Sequence, residues 1–493
     1  MFPTDVESVS DGNLNVYRIR GHRPLHGCIR AQAAKNAVTK QLVASLLTRE
    51  PCQLHDVPDI TEIDVVLAML GEIGAACDRL EDGSVDIATP RIASTTVGER
   101  YSGFNRIPIL LVAPLLHRAG MARVPVVGGC NIGERPIDFH IDLLRKMGAQ
   151  IDEDDDGYTA RADRLRGTVI TLPYPSVGAT ENAIFAACLA EGTTVIHNAA
   201  VEPEIVDTVL FLQKMGALIQ IDTDRKIVIE GVDRLSGARH DPVRDRIEVA
   251  SFAMAAVATE GRLRIEGADQ TAMITFLNTL RKIGGGFQVD PGAITFFRDR
   301  DPLDPIHIET DVHPGFMTDW QQPMVTLLTQ ANGVSVVHET VYEQRFGYTS
   351  TLNDMGANIT LTNDCLGGKD CRFTDRNFPH SAIIQGATPL AGREIEIPDL
   401  RAGFAYLLAA LIADGETTIF GTRFIERGYV NVPARLASVG ADIDVPARSF
   451  ASGNPSRSPA EWIGSPSETF PRRDTADREF SLPRPMRAQP ATS

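Results

Sequence analysis

The sequence predicts an α/β protein built from six similar units, and three observations lead to this class. Apolar residues recur at helical spacing in some segments and at strand spacing in others. Several of the helical segments end on an apolar residue followed by Gly and a small residue. Hydrophobic residues make up 43% and charged residues 23% of the 493 residues, which is typical of globular chains. Six units indicate two similar domains of three units each.

Each unit is expected to contain an apolar helix, a short strand, a polar loop and a second amphipathic helix. The pattern is clearest in residues 42–75, 183–217 and 323–357. Further copies end at residues 147–149, 283–285 and 439–441. The closing glycine favours a left-handed helix C-cap that leads into a strand. A spacing of about 70–80 residues is too long for solenoid repeats, so each unit is a small α/β structure.

Composition limits the remaining possibilities. After Val445 the chain becomes rich in Pro, Ser and Arg without any period, which predicts a disordered tail over residues 448–493. The net charge of −16 argues against nucleic acid as a partner. No apolar run approaches the length of a membrane span, and the polar start does not resemble a secretion signal. We therefore expect a soluble cytoplasmic protein that does not bind membranes.

The cysteines predict neither a disulfide framework nor a metal site. There are seven of them, an odd number, with no CxxC pair and no histidines clustered near them in the sequence. This pattern is typical of a protein in a reducing compartment. The expectation from sequence is that the protein holds no metal.

Candidate site residues stand where predicted helices begin. Lys35, in "AAKNA", opens an apolar helix, where a cation is unfavourable unless an anion is shared with the helix N-terminus. Ser176, in "PSVGATEN", is a candidate N-cap in a loop whose N–H groups could face a phosphate. Asp319, in "TDWQQP", precedes another helix, either as an N-cap or as a catalytic carboxylate.

Arginines recur at comparable places in the units. Each stands at a helix start or in a loop between strands: Arg106, Arg135, Arg345, Arg401 and Arg427. Asp399 lies beside Arg401, and Cys130 lies in the glycine-rich loop "GGCNIGERP". Arginine is suited to bidentate binding of phosphate and carboxylate groups. In an acidic protein this repetition points to a small, densely anionic substrate between the two domains.

These motifs resemble those of the enolpyruvyl transferases, and the resemblance runs from about Tyr17 to about Val445. It rests on "AAKNA", "RIPILL", "GGCNIGERPIDFH", "PSVGATEN", "TDWQQP", "PDLRAGF" and "ERGY", which occur in the family's order and spacing. The resemblance implies two inside-out α/β-barrel domains, each of three βαβαββ repeats. It also implies that the chain crosses between the domains twice. Residues 1–34 and 246–447 would form a discontinuous domain, and residues 35–245 an inserted domain that carries the Cys130 loop.

The resemblance also implies an activity. Members of this family move the enolpyruvyl group of phosphoenolpyruvate to a hydroxyl group and release phosphate, without a metal or another cofactor. The motifs are most similar to those of the branch that uses the 3-OH of UDP-N-acetylglucosamine in peptidoglycan precursor synthesis. An alternative acceptor is the 3′-OH of UMP in nucleoside antibiotic biosynthesis. An inactive regulatory or binding paralogue is an alternative of a different class. The 3-phosphoshikimate branch lacks the "GGCxIGxRP" loop. A monomer is expected.

Residue roles follow from the same resemblance. It implies catalytic roles for Cys130, the proton donor and target of fosfomycin, and for Asp319, Lys35, Arg427 and Asp399. The residues that it implies for substrate binding are Asn36, Arg106, Arg135, Pro136, Ile137, Asp138, Phe139, Ser176, Val177, Val341, Arg345 and Arg401. Two departures stand out. Gln32 and Ala33 replace a Ser-Gly pair that is frequent in the family, and Tyr174 replaces a lysine that many members place near the nucleotide diphosphate.

Overall fold

The computed structural model describes residues 16–128, 137–369, 371–374 and 376–446. The predicted tail, residues 448–493, lies outside the described residues, and so do Cys130, Arg135 and Pro136. Helices alternate with single strands or with short runs of strands along most of the described chain. Its helices are α1 Lys35–Ala44, α2 Thr61–Ile73, α3 Ile107–Ala119, α4 Asp138–Lys146, α5 Val177–Cys188, α6 Pro203–Lys214, α7 Arg246–Ala258, α8 Ile274–Lys282, α9 Gln321–Leu328, α10 Thr349–Asp354, α11 Leu400–Ile412, α12 Arg423–Glu426 and α13 Val432–Ser438.

The strands form six small sheets. They are β1 Tyr17–Arg20, β2 His26–Arg30, β3 Cys52–Leu54, β4 Ala76–Arg79, β5 Val85–Ala88, β6 Met121–Pro125, β7 Gln150–Asp154, β8 Gly157–Arg161, β9 Val169–Thr171, β10 Thr193–His197, β11 Leu218–Asp222, β12 Lys226–Glu230, β13 Arg239–His240, β14 Arg262–Glu266, β15 Gly285–Asp290, β16 Ala293–Arg298, β17 His307–Glu309, β18 Gly333–His338, β19 Ile359–Thr362, β20 Ser381–Gly386, β21 Glu394–Glu396, β22 Glu416–Phe420 and β23 Asp442–Asp444. Five sheets have four strands and one has three.

The same strand order is repeated in all six sheets. In the sheet β9-β10-β12-β11, the first two strands are parallel and the other neighbours are antiparallel. The sheets β13-β3-β5-β4, β2-β14-β16-β15, β17-β18-β20-β19 and β21-β22-β1-β23 follow this rule. In the sheet β6-β8-β7, a parallel bridge between Thr96 and Arg123 occupies the place of the fourth strand. The prediction of six α/β units is confirmed.

The sheets fall into two groups according to where their strands lie in the sequence. Three sheets use strands between residues 52 and 240, which we call the first sheet group. Three use β1, β2 and strands between residues 262 and 444, which we call the second sheet group. The chain therefore passes from one group to the other after β2 and again after β13. The chain thus crosses between the two sheet groups twice. The domain boundaries given above remain a prediction.

The two crossings run side by side. Ala34 donates its N–H to the carbonyl of Val243 at 2.7 Å, and Asp245 donates its N–H to the carbonyl of Gln32 at 2.9 Å. Ala33 and Arg244 form an antiparallel bridge between them. The two sheet groups are thus joined by a short two-stranded connection that ends next to Lys35.

Apolar helices form the interior of the second sheet group. Every residue of α7, α9 and α11 is buried, and the three helices pack against one another. In the first sheet group, α3 packs against α1 and α5 in the same way. Helices that are apolar on all sides are expected at the centre of a fold rather than on its surface. This arrangement, with helices inside and sheets outside, is the predicted inside-out architecture.

The closing glycines adopt the predicted left-handed geometry. The φ angles lie between 100° and 112° at all six positions, namely Gly74, Gly148, Gly216, Gly284, Gly356 and Gly440. A residue with a Cβ is strained at such angles, so glycine is the residue that suits this turn. Within the described ranges, the structure contains no helix that combines the length and apolarity needed to cross a membrane.

Candidate active site

The first crossing places Lys35 at the start of α1 and fixes a loop of the second sheet group beside it. Gln32 donates from Nε2 to the carbonyl of Gly428 at 2.8 Å and accepts from the N–H of Val430 at 3.0 Å. Because Arg427 immediately precedes Gly428, these two bonds hold it close to the crossing. The N-cap of α1 is Ala34 with φ of −65°, and Ala33 has no positive φ. The two alanines therefore fit without strain.

Arg427 reaches across to the first sheet group and pairs with Glu62. Its Nη2 lies 2.9 Å from Oε2 of Glu62 and 3.3 Å from the carbonyl of Phe104, and its guanidinium lies 4.7 Å from the Phe104 ring centroid. Burial alone would raise the pKa of Glu62, but the charges of Lys35 and Arg427 outweigh it and lower this pKa. Glu62 is therefore an anion, and it is stabilised by two cations that are far apart in the sequence, Lys35 and Arg427.

Asp319 is the second carboxylate of the site. It lies in a 3₁₀ turn, Thr318–Trp320, and the N-cap of α9 is Trp320, so Asp319 does not cap this helix. Arg345 bonds to its Oδ1, and Arg401 lies 3.1 Å from its Oδ2. Burial would raise the pKa of Asp319, but the charges of Arg401, Arg345 and Lys35 hold it well below its usual range. Lys35 therefore acts electrostatically on both Asp319 and Glu62.

Asp399 orients one of these arginines through a helix cap. It is the N-cap of α11 and accepts from the N–H groups of Arg401 at 2.8 Å and Ala402 at 3.2 Å. The first turn of α11 thereby directs Arg401 toward Asp319. Arg345 is only 3% exposed, so its charge is kept from water and needs its acidic neighbours.

A second region forms where α4 and α5 begin. Ile137 is the N-cap of α4, and Ser176 caps α5 by accepting from the N–H of Ala179 at 3.4 Å. His140 of α4 lies 3.2 Å from the amide nitrogen of Asn182 in α5. Burial and the charge of Arg106 lower the pKa of His140 to about 3, so the ring is neutral. The two helix starts and Arg106, predicted separately as nucleotide or anion contacts, are thus neighbours.

A cation lies beside Tyr174, at the place where the sequence lacks the expected lysine. The guanidinium of Arg372 lies 4.6 Å from the centroid of the Tyr174 ring. Arg372 also donates to the carbonyl of Val341, a predicted acceptor contact. Val341 and the segment before α5 therefore approach each other from the two sheet groups, with Arg372 between them.

Not every predicted residue can be placed in this geometry. The structure gathers Lys35, Asp319, Asp399 and two arginines into one group, with Arg427 joined to it through Glu62. Four further predicted residues occupy the first or second position of a helix, namely Asn36 in α1, Asp138 and Phe139 in α4, and Val177 in α5. Cys130, Arg135 and Pro136 lie outside the described residues. The sequence analysis missed Glu62, His140 and Arg372, since an acid in a first helical turn and a single arginine in a long loop are common features.

Two cysteines and two histidines that are separated in the sequence come together in the structure. One ligand atom from each of His338, Cys365, Cys371 and His380 lies within 4.8 Å of the others. The loop after β19 folds back onto the end of β18 and brings these residues together. Their spacing in the sequence, with one histidine 27 positions before the first cysteine, follows none of the short metal-binding patterns.

Fold and site together define a class, the carboxyvinyl (enolpyruvyl) transferases, and comparison with known proteins agrees. The family model for EPSP synthase (3-phosphoshikimate 1-carboxyvinyltransferase) matches residues 19–436, and the chain belongs to this family.

Individual relatives are similar over nearly the whole described chain. The chain is 53% identical over 440 residues to the UDP-N-acetylglucosamine 1-carboxyvinyltransferase of Protochlamydia amoebophila (strain UWE25), covering 88% of this chain and 94% of that protein. It is 49% identical over 436 residues to the protein of the same name from Chlamydia pneumoniae, covering 88% and 95%. The crystal structure of the enolpyruvyl transferase NikO from Streptomyces tendae matches with a TM-score of 0.78 at 22% identity, covering 88% and 99%, which shows a shared fold.

Proposed function

We propose that the protein transfers the enolpyruvyl group of phosphoenolpyruvate to the 3-OH of UDP-N-acetylglucosamine and releases phosphate. The observation that carries the proposal is the position of Lys35, whose charge lowers the pKa of both Asp319 and Glu62, the partner of Arg427. The names of relatives that are 53% and 49% identical support the choice of acceptor. The reaction would supply a peptidoglycan precursor, and its substrates favour a cytoplasmic location.

The cations of the site suit a substrate with two anionic groups. Phosphoenolpyruvate carries a phosphate and a carboxylate, and arginine binds both groups in bidentate fashion. In the structure, Arg345 and Arg401 pair with Asp319, and Arg427 pairs with Glu62. An entering substrate competes with these carboxylates for the same guanidinium groups. We infer that Lys35, Arg345, Arg401 and Arg427 hold phosphoenolpyruvate in this way.

The reaction would proceed by addition and elimination. An acid protonates the methylene carbon C3 of phosphoenolpyruvate, and the acceptor oxygen bonds to C2 while its proton passes to a base. The bond between C2 and the phosphate oxygen then breaks, and C3 loses a proton to restore the double bond. We assign the acid to Cys130, on the motif "GGCNIGERP" alone, and the contact with the acceptor hydroxyl to Asp319. Asp399 would keep Arg401 in place throughout.

The uridine nucleotide would bind where α4 and α5 begin. Helix N-termini bind phosphates because their first N–H groups lack partners within the helix. Arg106 lies close enough to His140 to lower its pKa, and Arg372 stacks on Tyr174 before α5. These cations would compensate for the missing lysine at position 174. The segment 135–139, Ser176, Val177, Asn36 and Val341 complete the proposed acceptor subsite.

The acceptor can be tested by phosphate release from phosphoenolpyruvate. UDP-N-acetylglucosamine, UMP and shikimate 3-phosphate would each be supplied to the purified protein at equal concentration. We expect release with UDP-N-acetylglucosamine only. Release with UMP alone would identify the other uridine acceptor, and the absence of release with all three would contradict the proposed activity.

The Cys130 assignment has a separate chemical test. Fosfomycin should add covalently to this one of the seven cysteines, and peptide mass spectrometry would locate the adduct. Cys130→Asp should retain turnover, because a carboxylic acid can still donate a proton, and should not react with fosfomycin. Modification at Cys188 or Cys371 in place of Cys130 would refute the assignment.

A further inference from the structure

The loop between β19 and β20 is much longer than its counterparts. It spans residues 363–380, which is 18 residues. The equivalent hairpins span residues 80–84, 155–156, 223–225 and 291–292, which is two to five residues. Hairpin loops of two to five residues are the norm, and long loops without regular structure require their own anchoring. The fifth unit therefore carries an added segment that something must hold in place.

Four side chains meet at the base of this loop. Cys365, Cys371 and His380 come from the loop itself, and His338 comes from the last position of β18. One ligand atom from each lies within 4.8 Å of the other three. Within this group, Sγ of Cys365 lies 3.2 Å from Nε2 of His380. We call these four residues the Cys2His2 cluster.

Nε2 of His380 faces the cluster, and both histidines use Nδ1 for a hydrogen bond outside it. Nδ1 of His380 lies 3.0 Å from the carbonyl of Phe378, which can only accept, so this nitrogen carries the proton. Nδ1 of His338 lies 2.8 Å from Oγ of Ser381, whose own proton is donated to the carbonyl of Asp364 at 2.6 Å. Ser381 therefore accepts from His338. In each ring Nε2 is left with an unshared electron pair, as in a metal-binding histidine.

One of these nitrogens has no other role among the described residues. His338 is fully buried, and within the described part of the chain its Nε2 has no hydrogen-bond partner. A buried polar atom without a partner is costly, which indicates that the native site satisfies it by other means. His380 is also fully buried. Sγ of Cys371 already accepts from the N–H of Phe373 at 3.4 Å, a contact that stabilises a thiolate.

We propose that the Cys2His2 cluster binds one structural Zn²⁺ ion. Two sulfur and two imidazole ligands are a donor set that zinc prefers, and structural zinc sites are closed and tetrahedral. Bonds of about 2.3 Å to sulfur and about 2.0 Å to nitrogen place tetrahedral ligand atoms about 3.3–3.8 Å apart. The ligand atoms lie within 4.8 Å of one another, so the side chains of the loop and of His338 need to move together only slightly to reach these distances. The four ligands leave no open position, so the ion takes no part in chemistry.

The ion would fix the position of Arg372, because Arg372 directly follows Cys371, one of the four ligands. Arg372 stacks on Tyr174 and donates to the carbonyl of Val341. The other side of the loop is held by the N–H groups of Gly368 and Lys369, which donate to Glu309 at 3.2 Å. With Cys371 bound to the ion, Arg372 is presented at the nucleotide subsite at a lower cost in conformational entropy. This consequence, unlike metal binding itself, rests on the proposed function.

Metal content provides the first test. The full-length protein, purified without chelators and equilibrated with Zn²⁺, would be desalted and analysed by elemental mass spectrometry. We expect one Zn²⁺ per chain. Cys365→Ser and Cys371→Ser should each lower the affinity at least about tenfold, because each removes a ligand. Cys28→Ser and Cys77→Ser are matched controls outside the cluster and should bind as the parent does. A parent protein without stoichiometric zinc, or ligand variants that bind like the controls, would overturn the proposal.

Ligand identity can be tested by spectroscopy and by thiol reactivity. Co²⁺ in place of Zn²⁺ should produce thiolate-to-metal charge transfer and the intense visible bands of tetrahedral coordination, and both should vanish in Cys371→Ser. Zn²⁺ should slow alkylation of Cys365 and Cys371 but not of exposed Cys28. A disulfide between Cys365 and Cys371 that forms in the parent protein and excludes Zn²⁺ would overturn the proposal.

The effect on nucleotide binding is measured separately. Cys371→Ser should raise the KM for UDP-N-acetylglucosamine about tenfold and change kcat less than about threefold, since the loop positions a binding residue only. Arg372→Gln should raise the same KM and retain one Zn²⁺ per chain. If the protein is inactive with UDP-N-acetylglucosamine, the KM values cannot be compared and the proposed function is contradicted. The zinc measurement still decides whether the Cys2His2 cluster binds the metal. Zinc binding without any change in KM in either variant would restrict the ion to a role in stability.

Discussion

Asp319 is held in a state that makes it a poor base. Arg345, Arg401 and Lys35 lower its pKa well below the usual range, so the carboxylate has little tendency to take a proton. A general base is most effective when its pKa lies near the working pH. The phosphate and carboxylate of phosphoenolpyruvate would compete for the same arginines and weaken their hold on Asp319. Substrate binding would thereby raise the basicity of Asp319 at the moment when it is needed.

Asp319→Asn tests this role because it preserves shape and removes the charge. We expect kcat to fall at least about 100-fold, the usual contribution of a positioned acid or base. The KM values should change much less, since the arginines remain. Asp78→Asn, in an exposed position on β4, is the matched control. Phosphate release measured at saturating substrates decides the point, and an unchanged kcat would remove Asp319 from the mechanism.

His140 should make the protein sensitive to acid. Its pKa of about 3 in the folded state lies below the value of about 6.5 in an unfolded chain, so below pH 6.5 the unfolded state binds the additional proton. Folding stability from this residue is therefore complete above pH 6.5 and declines as the pH falls toward 3. Between pH 7 and pH 5 the loss is about 2 kcal/mol.

His140→Gln should abolish that part of the pH dependence. Urea unfolding of parent and variant at pH 7 and pH 5 would give the two differences in free energy of unfolding. The variant is expected to lose about 2 kcal/mol less than the parent over this interval. His26→Gln, on the exposed side of β2, is the matched control. Equal losses in parent and His140→Gln would show that His140 is not held neutral by the fold.

The connection between Gln32 and the Arg427 loop is a property of two elements rather than one residue. Gln32 makes two hydrogen bonds to the backbone at Gly428 and Val430. Gln32→Met keeps the length of the side chain and removes both, which should destabilise the fold by about 1–3 kcal/mol. Because Arg427 would then be less well placed, kcat/KM should fall about tenfold.

The matched control for this prediction is a variant that loses a glutamine side-chain hydrogen bond away from the candidate active site. Gln53→Met removes the bond from Nε2 to Asp86 at 2.8 Å in an outer sheet. It should lower stability by a comparable amount and leave kcat/KM unchanged. If Gln32→Met and Gln53→Met have equal effects on kcat/KM, the Gln32 bonds contribute only to folding.

The same elements show what could be predicted from the sequence. Closing glycines and apolar helices have local signatures, so the six units and the positions of Lys35, Ser176 and Asp399 at helix starts were predictable. The pairing of Arg427 with Glu62 joins residues 365 positions apart and depends on how the sheet groups pack. The Cys2His2 cluster depends on a long loop folding back onto β18. Neither long-range arrangement has a signature in the local sequence pattern.

The described chain consists of two sheet groups, and the proposed substrate site takes side chains from both of them. They are joined by two adjacent crossings, and contacts between the groups include Arg427 with Glu62 and Arg246 with Glu204 at 3.0 Å. The cations that we propose for phosphoenolpyruvate come from both groups, whereas the proposed nucleotide subsite lies mainly at the starts of α4 and α5. A nucleotide that also contacts Val341 and Arg372 would stabilise the arrangement in which the groups are close. That arrangement would also bring the proposed cations around phosphoenolpyruvate.

Nucleotide and phosphoenolpyruvate should therefore bind cooperatively. Calorimetric titration of phosphoenolpyruvate would be performed with and without saturating UDP, which has no acceptor sugar and cannot react. We expect UDP to lower the Kd of phosphoenolpyruvate at least about fivefold, the lower end of typical coupling between sites. By linkage, phosphoenolpyruvate must lower the Kd of UDP by the same factor. ADP serves as the control nucleotide. An identical Kd with and without UDP would mean that the two subsites are independent, and that the sheet groups do not move together when the nucleotide binds.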